Sequence, residues 1–458
     1  MVERANSAKP PPLRLSIGPD DNCFVIENKA RRLVRYYSDA VRLIPEPGAI
    51  NSGAPAKPPA PESSIMSAAP PRLFILFLIT AGSALGLAGT DLVLPAIPTL
   101  PEKLGGTQAM AQYVLASYVA GVACGLILFG ELGARFRQGW ILTASLALFG
   151  LTSIAGAYVT AMEPLIGLRF FQGLFGSASA VFAPVWIRAL FDAPGAMRAM
   201  GALGSIESLT PALAPVIGLW IITWGGWQAP FSIVGVLALC VALAISLYAQ
   251  RVPSPQPSGR AQSYLSLFAN IPFIRHGVSQ ALTLAGLLVF VFGAPAVFTK
   301  AVGRPLTDFV AMQVIGIGLF IIAANSASRI ARRIGLEQLI LIGAAMTAIG
   351  TLAELMYALA GGRSTFVIGA IFVVVNVGLG LRGPTGFFAA LGAAEGNESR
   401  AAAIVLVATF LVVGLGTAIA APFVATGLVE LAAVSLAISA ASPALLLALK
   451  PKANAVQT

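Results

Sequence analysis

From Leu73 onward the chain alternates long apolar runs with short polar breaks. Twelve runs lie near 73–98, 110–130, 140–160, 162–187, 199–223, 227–249, 274–299, 308–328, 335–359, 364–391, 401–424 and 427–449. A helix rises about 1.5 Å per residue, so about 20 apolar residues cross the ~30 Å hydrocarbon core of a bilayer. Every run is long enough. The period-two alternation of a membrane barrel is absent, which leaves helices as the structure that satisfies each backbone N–H and C=O inside lipid. The pattern predicts an all-α integral membrane protein of twelve transmembrane helices, spans 1 to 12.

The longest internal break, "AQRVPSPQPSGRAQSYLSLFANIPFIRHG", falls between spans 6 and 7. It predicts two six-helix bundles, 72–250 and 273–450, joined by a linker loop at 251–272. The halves echo one another: a short basic loop follows span 2 ("GARFRQGW") and another follows span 8 ("SRIARRIG"). Paired six-helix halves related by a pseudo-two-fold axis are a transporter organisation. Residues 1–71 read differently. They hold 12 of the 31 prolines and mixed charges, the composition of a disordered tail. Within them "VIENKARRLVRYYSDAVRLI" is either a short basic amphipathic helix or part of the disorder. The tail has no apolar stretch ahead of a cleavage site, so it is not expected to be a secretory signal. The abrupt change in composition is what a translation start at Met66 would produce. Residues 451–458 form a short C-terminal tail.

Composition strengthens the membrane reading: 57% of residues are hydrophobic, 10% are charged, and the mean hydropathy is +0.84. The net charge of +10 does not point to nucleic acid, because the basic residues sit in short loops with no basic aromatic face. One set of alternating loops carries Arg135, Arg137, Arg188, Arg198, Arg251, Arg260, Arg275, Arg329, Arg332, Arg333, Arg400, Lys450 and Lys452. The opposite set carries Lys103, Lys300, Arg304 and Arg363. Basic residues concentrate on the cytoplasmic side of membrane proteins, which places both termini in the cytoplasm. Three scattered cysteines and a single histidine, His276, give no disulfide framework or metal cluster. No phosphate loop and no nucleophile–base constellation appears, so neither a cofactor nor an enzyme activity is expected.

Three stretches of the first half and four of the second carry a resemblance. "TDLVLPAIPTLPEKLG" in span 1, "LRFFQGLFGSASA" in span 4 and "TPALAPVIGLW" in span 5 resemble the major facilitator superfamily. They look like its bicyclomycin-resistance (Bcr/CflA-type) branch of 12-span drug:proton antiporters. "GAPAVFTKAVG", "NSASRIARRIGLEQLILIG" and "GLGLRGPTGFFAAL" are similar to spans 7 to 10 of that branch, and "RAAA" to its span 11. The resemblance covers about residues 72–450. It implies a monomeric transporter of a bacterial inner membrane. Its partners would be a small amphipathic substrate, protons and the bilayer, and efflux would proceed by alternating access. A proton symporter or metabolite exporter of the same fold is the near alternative, and a transport-inactive sensor or scaffold the distant one. The superfamily's loop between spans 2 and 3 usually reads G-x-L-x-D-R-x-G-R-R. Here Ala134 replaces the acid that would latch neighbouring helices. Glu131 either substitutes for it or is simply solvated. Gly130, Glu131, Arg135, Arg329 and Arg333 are the expected conformational-switch residues. Ala214-Pro215 stands where many antiporters have Gly-Pro.

Ionisable residues inside spans are functional candidates by default. Asp91 lies seven residues before Pro98, and Arg169 seven residues after Met162. Both are therefore about 10 Å below the same surface. In the resembled family spans 1 and 4 line the central cavity, so Asp91 and Arg169 are expected to share a site, either a proton-coupling switch or a fixed packing pair. Glu207, nine residues from Arg198, and Arg382, eleven residues before Ala393, are about 14 and 16 Å from the opposite surface. They are read either as a pair across the halves or as two separate packing charges. Gln172 and Tyr118 are cavity or packing residues. Pro95 marks the outer end of span 1, while Pro211 and Pro215 are expected to distort span 5. Glu354, near the end of span 9, is expected to snorkel outward. The GxxxG patterns at 82–86 and 121–125 are expected to serve packing within the fold.

Overall fold

The computed structural model describes residues 72–252, 263–394, 396–420, 422–423 and 427–449. The tail 1–71 with its candidate helix and Met66 boundary, residues 253–262 of the linker, and the C-terminal tail lie outside them. Among the described residues the regular elements are all helical, and twelve are long and apolar enough to cross a membrane. Spans 1 to 6 are Arg72–Ile97, Met110–Arg135, Gln138–Ala157, Met162–Leu190, Ala193–Gly225 and Ala229–Ser246. Spans 7 to 12 are Ile271–Thr299, Thr307–Ile334, Leu336–Leu359, Thr365–Ala393, Glu398–Ala420 and Val429–Ala448.

Local chemistry sets the helix limits. Span 5 starts six residues ahead of its apolar run because the Asp192 carboxylate caps the Gly195 N–H at 3.2 Å and Pro194 sits in the first turn. It then continues through Pro211 and Pro215 as one helix to Gly225. In span 1 the α-helix stops at Asp91, and a 3-10 turn, Leu94–Thr99, follows with Pro95 at its start. Span 4 consists of two helices, Met162–Gly176 and Ala178–Leu190. Gly335, with φ of 93°, makes the sharp turn between spans 8 and 9.

Packing within each half depends on small residues. Any Cβ on Gly121 or Gly125 would strike the Phe170 or Leu174 carbonyl of span 4, and one on Gly173 would strike the Tyr118 carbonyl of span 2. Gly82 and Gly86 face Ser179 and Gly176 of span 4 in the same way. The GxxxG patterns therefore serve contacts inside the first half. Large apolar side chains such as Phe77, Leu151, Leu243, Phe366 and Leu411 are exposed, as expected of surfaces that face lipid.

The even-numbered connections gather at one end, here the basic end. Arg137 donates to the Gln250 carbonyl, Asn270 to the Ala393 carbonyl at 2.7 Å, and Arg275 pairs with Glu337 at 2.7 Å. Hydrogen bonds between the halves, among the described residues, lie at this end. Ser328 donates to Pro194 O, Asn325 to Ser205 Oγ, Gln138 to Ser399 Oγ, and Arg400 to Glu131.

Candidate functional site

Two groups of polar residues stand out: charges buried inside the spans, and the seam that joins the halves at the basic end.

In the first half, Arg169 is completely buried. Its Nη1 donates to the Gly89 carbonyl of span 1 and to Gln172 Oε1, both at 2.7 Å. Nε reaches the Val114 carbonyl of span 2 at 3.3 Å, and the guanidinium lies 4.3 Å over the Tyr118 ring. Gln172 in turn donates to Ser153 of span 3, and the Tyr118 hydroxyl donates to the Gly86 carbonyl. Arg169 thus ties spans 1, 2 and 4 together directly and span 3 through Gln172. Asp91, half-buried at the end of the span 1 helix, lies within electrostatic reach of Arg169. No ion pair within 4.0 Å joins them, and Arg169 Nη2 is buried without a partner.

Glu207 and Arg382 are not joined. Ser83 of span 1 donates to Glu207 at 2.6 Å. Arg382, fully buried, donates to Gln280 Oε1 at 2.5 Å and to Ser279 Oγ at 2.6 Å, both on span 7, and its Nε is unpartnered. The expected depth match rested on Arg198 as the start of span 5. The helix begins at Ala193, so Glu207 lies fourteen residues in, about 21 Å, against about 16 Å for Arg382. Glu354 does not snorkel: only 1% of it is exposed, and both carboxyl oxygens are buried without a hydrogen bond.

At the basic end, Glu131 is not simply solvated. It accepts from Arg400 Nε at 2.6 Å and Nη2 at 3.1 Å across the halves, and from Arg135 one turn along its own helix. Arg400 is fixed further by Asn397 Oδ1 at 2.9 Å. Gln138, also fully buried, accepts from Trp186 Nε1 at 2.7 Å and donates to Ser399 Oγ at 2.7 Å and to Gly133 O at 3.0 Å. From the linker, Tyr264 donates to the Ile127 carbonyl at 2.6 Å, and its hydroxyl lies against Gly130. Burial, together with the nearby Glu131 charge, pushes the Tyr264 hydroxyl up to about 12. Arg329 and Arg333 are exposed and make no hydrogen bond or ion pair with a described residue. Gln138, Arg400, Ser399 and Tyr264 escaped the sequence reading. Arg400 had been counted only as an orienting charge, and Gln138 occupies a loop position where the family pattern has arginine.

This geometry sits on a known fold. Residues 74–421 match the Major Facilitator Superfamily, and the chain belongs to that family of transporters. The bicyclomycin resistance protein homolog of Haemophilus influenzae is 26% identical over 279 residues, 59% of this chain and 70% of the relative. The chloramphenicol resistance protein of Pseudomonas aeruginosa is 28% identical over 37% of this chain and 41% of its own length. The multidrug resistance protein MdtL of Escherichia coli is 25% identical over 51% and 60% respectively. Among solved structures, the transporter FucP superposes with a TM-score of 0.66 over 83% of this chain and 100% of its own, at 15% identity. The proton:xylose symporter XylE superposes at 0.65 over 83% and 96%, also at 15% identity.

Proposed function

We propose that this protein is a proton-coupled efflux antiporter of small amphipathic compounds, working as a monomer by alternating access in a bacterial inner membrane with both termini cytoplasmic. The observation that carries the reading is the Asp91–Arg169 arrangement. A carboxyl group at the end of span 1 stands near a buried guanidinium of span 4 without being locked to it. The close positive charge favours the ionised carboxylate, and loss of that proximity inside an apolar wall favours the proton. Relative movement of spans 1 and 4 therefore converts into proton binding and release. Efflux, rather than uptake, follows the names of the drug-resistance relatives. The thirteen-to-four bias of basic residues supports the orientation. In that orientation the joined end faces the cytoplasm, and Glu131 with Arg400 holds it closed in place of the acid missing at Ala134. The half-boundaries at 250 and 273 belong to the same proposal.

The test uses proteoliposomes loaded with chloramphenicol. An imposed proton gradient should drive the compound against the direction of proton flow, and Asp91→Asn should abolish that dependence while leaving downhill exchange. Flux in the same direction as protons would instead make the protein a symporter. Unchanged coupling in Asp91→Asn would remove Asp91 from the mechanism.

A further inference from the structure

Among the described residues, Glu354 is the side chain with two buried polar atoms that lack a hydrogen bond. It lies five residues before Leu359, the end of span 9. Eleven residues separate it from Gly343, just over three full helical turns, so both project from one face. That face meets span 10: Gly343 packs against Gly378 and Arg382, and Gly350 against Val375. Continuing this antiparallel register sets Glu354 opposite the Ile368–Phe372 turn, where Ile368 and Phe372 are buried apolar residues.

Among the described residues, no charged group on the surrounding elements pairs with Glu354. Arg382 of span 10 lies at the level of Gly343, about 16 Å along the helix, and bonds to span 7. Asp308 of span 8 is held by Arg304 and Thr365. Glu430 is in the first turn of span 12, and the Tyr357 hydroxyl of span 9 itself accepts from the Ser364 N–H. Arg275 and His276 of span 7 are at the basic end, paired with Glu337. None of these forms an ion pair with Glu354.

An ionised carboxylate with no cation and no hydrogen bond cannot persist in such surroundings, whereas a neutral acid can. Even the neutral acid is disfavoured while neither oxygen is bonded. That cost stands in this state and is relieved in any state that admits water to the span 9–span 10 contact. We propose that Glu354 is a proton-binding site of the second half, separate from Asp91. It carries its proton in the state seen here and releases it to water when spans 9 and 10 part during transport. In the release the carboxyl O–H bond breaks, its electron pair stays on the carboxylate, and a water molecule takes the proton.

Infrared difference spectroscopy of the full-length protein in lipid, wild type minus Glu354→Gln, tests the first part. The expected result is the C=O stretch of a protonated, non-hydrogen-bonded carboxylic acid, still present at a pH that ionises water-exposed acids. If the wild type lacks this band, or Glu354→Gln keeps it, the site is overturned. Glu354→Leu, which replaces an unbonded acid by an apolar side chain, serves if the amide variant does not fold. The second part rests on the antiport reading. In chloramphenicol proteoliposomes, Glu354→Gln should show efflux under a proton gradient no faster than without one, while downhill exchange continues. Full gradient response in that variant would leave the bound proton structural and overturn the release step. If wild type itself ignores the gradient, the antiport reading fails, and the infrared band still decides whether Glu354 binds a proton.

Discussion

Replacing Glu131 by glutamine should loosen the joined end of the molecule by a calculable amount. Arg400 gives Glu131 two charge-assisted hydrogen bonds, at 2.6 and 3.1 Å. Arg400 is only 7% exposed and Glu131 30%, so the pair is partly shielded from water. A hydrogen bond to a charged group contributes about 1.5–3 kcal/mol, and a neutral one about 1 kcal/mol. The glutamine oxygen can keep one bond from the guanidinium, which remains charged. Taking the lower charged value, because Glu131 is partly solvated, the loss is one such bond, about 1.5 kcal/mol. At 1.4 kcal/mol per tenfold, that shifts the equilibrium between joined and parted basic ends about tenfold. Arg135, 65% exposed, contributes much less to the same carboxylate, so Arg135→Ala is the control.

Spin labels at the exposed positions Phe136 and Ile334, one in each half, report the separation of the basic ends. Wild type should give mainly the short distance, and Glu131→Gln a larger long-distance population. Exchanging the charges, Glu131→Arg with Arg400→Glu, should restore the short one. A Glu131→Gln distribution identical to wild type would refute the assignment of Glu131 as the latch. It would also return that residue to the solvated role that the sequence allowed.

Gly173→Val should prevent spans 2 and 4 from approaching, because its first side-chain carbon would strike the Tyr118 carbonyl. A broadened size-exclusion profile and a lowered melting temperature are expected, and a wild-type profile would contradict the packing. Tyr264→Phe removes the bond to Ile127 and should lower stability by about 1 kcal/mol. The tyrosine proton is held up to about 12 against an ordinary 10.0, so this contribution is complete below 10.0 and fades only as pH rises toward 12. The difference between wild type and Tyr264→Phe should therefore be constant from about pH 6 to 9, and a difference that disappears within that window would refute it.

The twelve spans were legible because each is a continuous apolar run, and lipid leaves the backbone little choice but helix. The depth of Arg169 was legible because Met162 does begin its helix. What failed shares one cause: runs and distances to helix ends carry no information about which neighbour a face meets. Span 5 was read six residues short because "APGAMR" looks like loop until Asp192 is seen to cap it. Glu354 was expected to reach outward because it is near a helix end, but its helical phase, equal to that of Gly343, turns it into span 10. The motif raised Glu131 as a substitute for the missing acid, but its partner lies 269 residues away on span 11, where no spacing points to it.

The polar groups of the fold divide by how fully they are satisfied, and the division has a mechanical meaning. At the basic end Gln138 uses both amide atoms and Glu131 both oxygens, so this seam is at its best in the state described. Inside the spans Arg169 Nη2, Arg382 Nε and both oxygens of Glu354 lack partners. Each such group raises the free energy of this state by about 1–3 kcal/mol relative to one that bonds or hydrates it. The seam favours the joined basic end, and the interior groups favour any arrangement that bonds or hydrates them. A transporter needs two arrangements separated by only a few kcal/mol, so that a proton or a substrate can choose between them. A fully satisfied interior above the same latch would make the gap too wide for either ligand to bridge. In the proposed cycle these unbonded polar atoms are therefore where ligand binding has the most leverage.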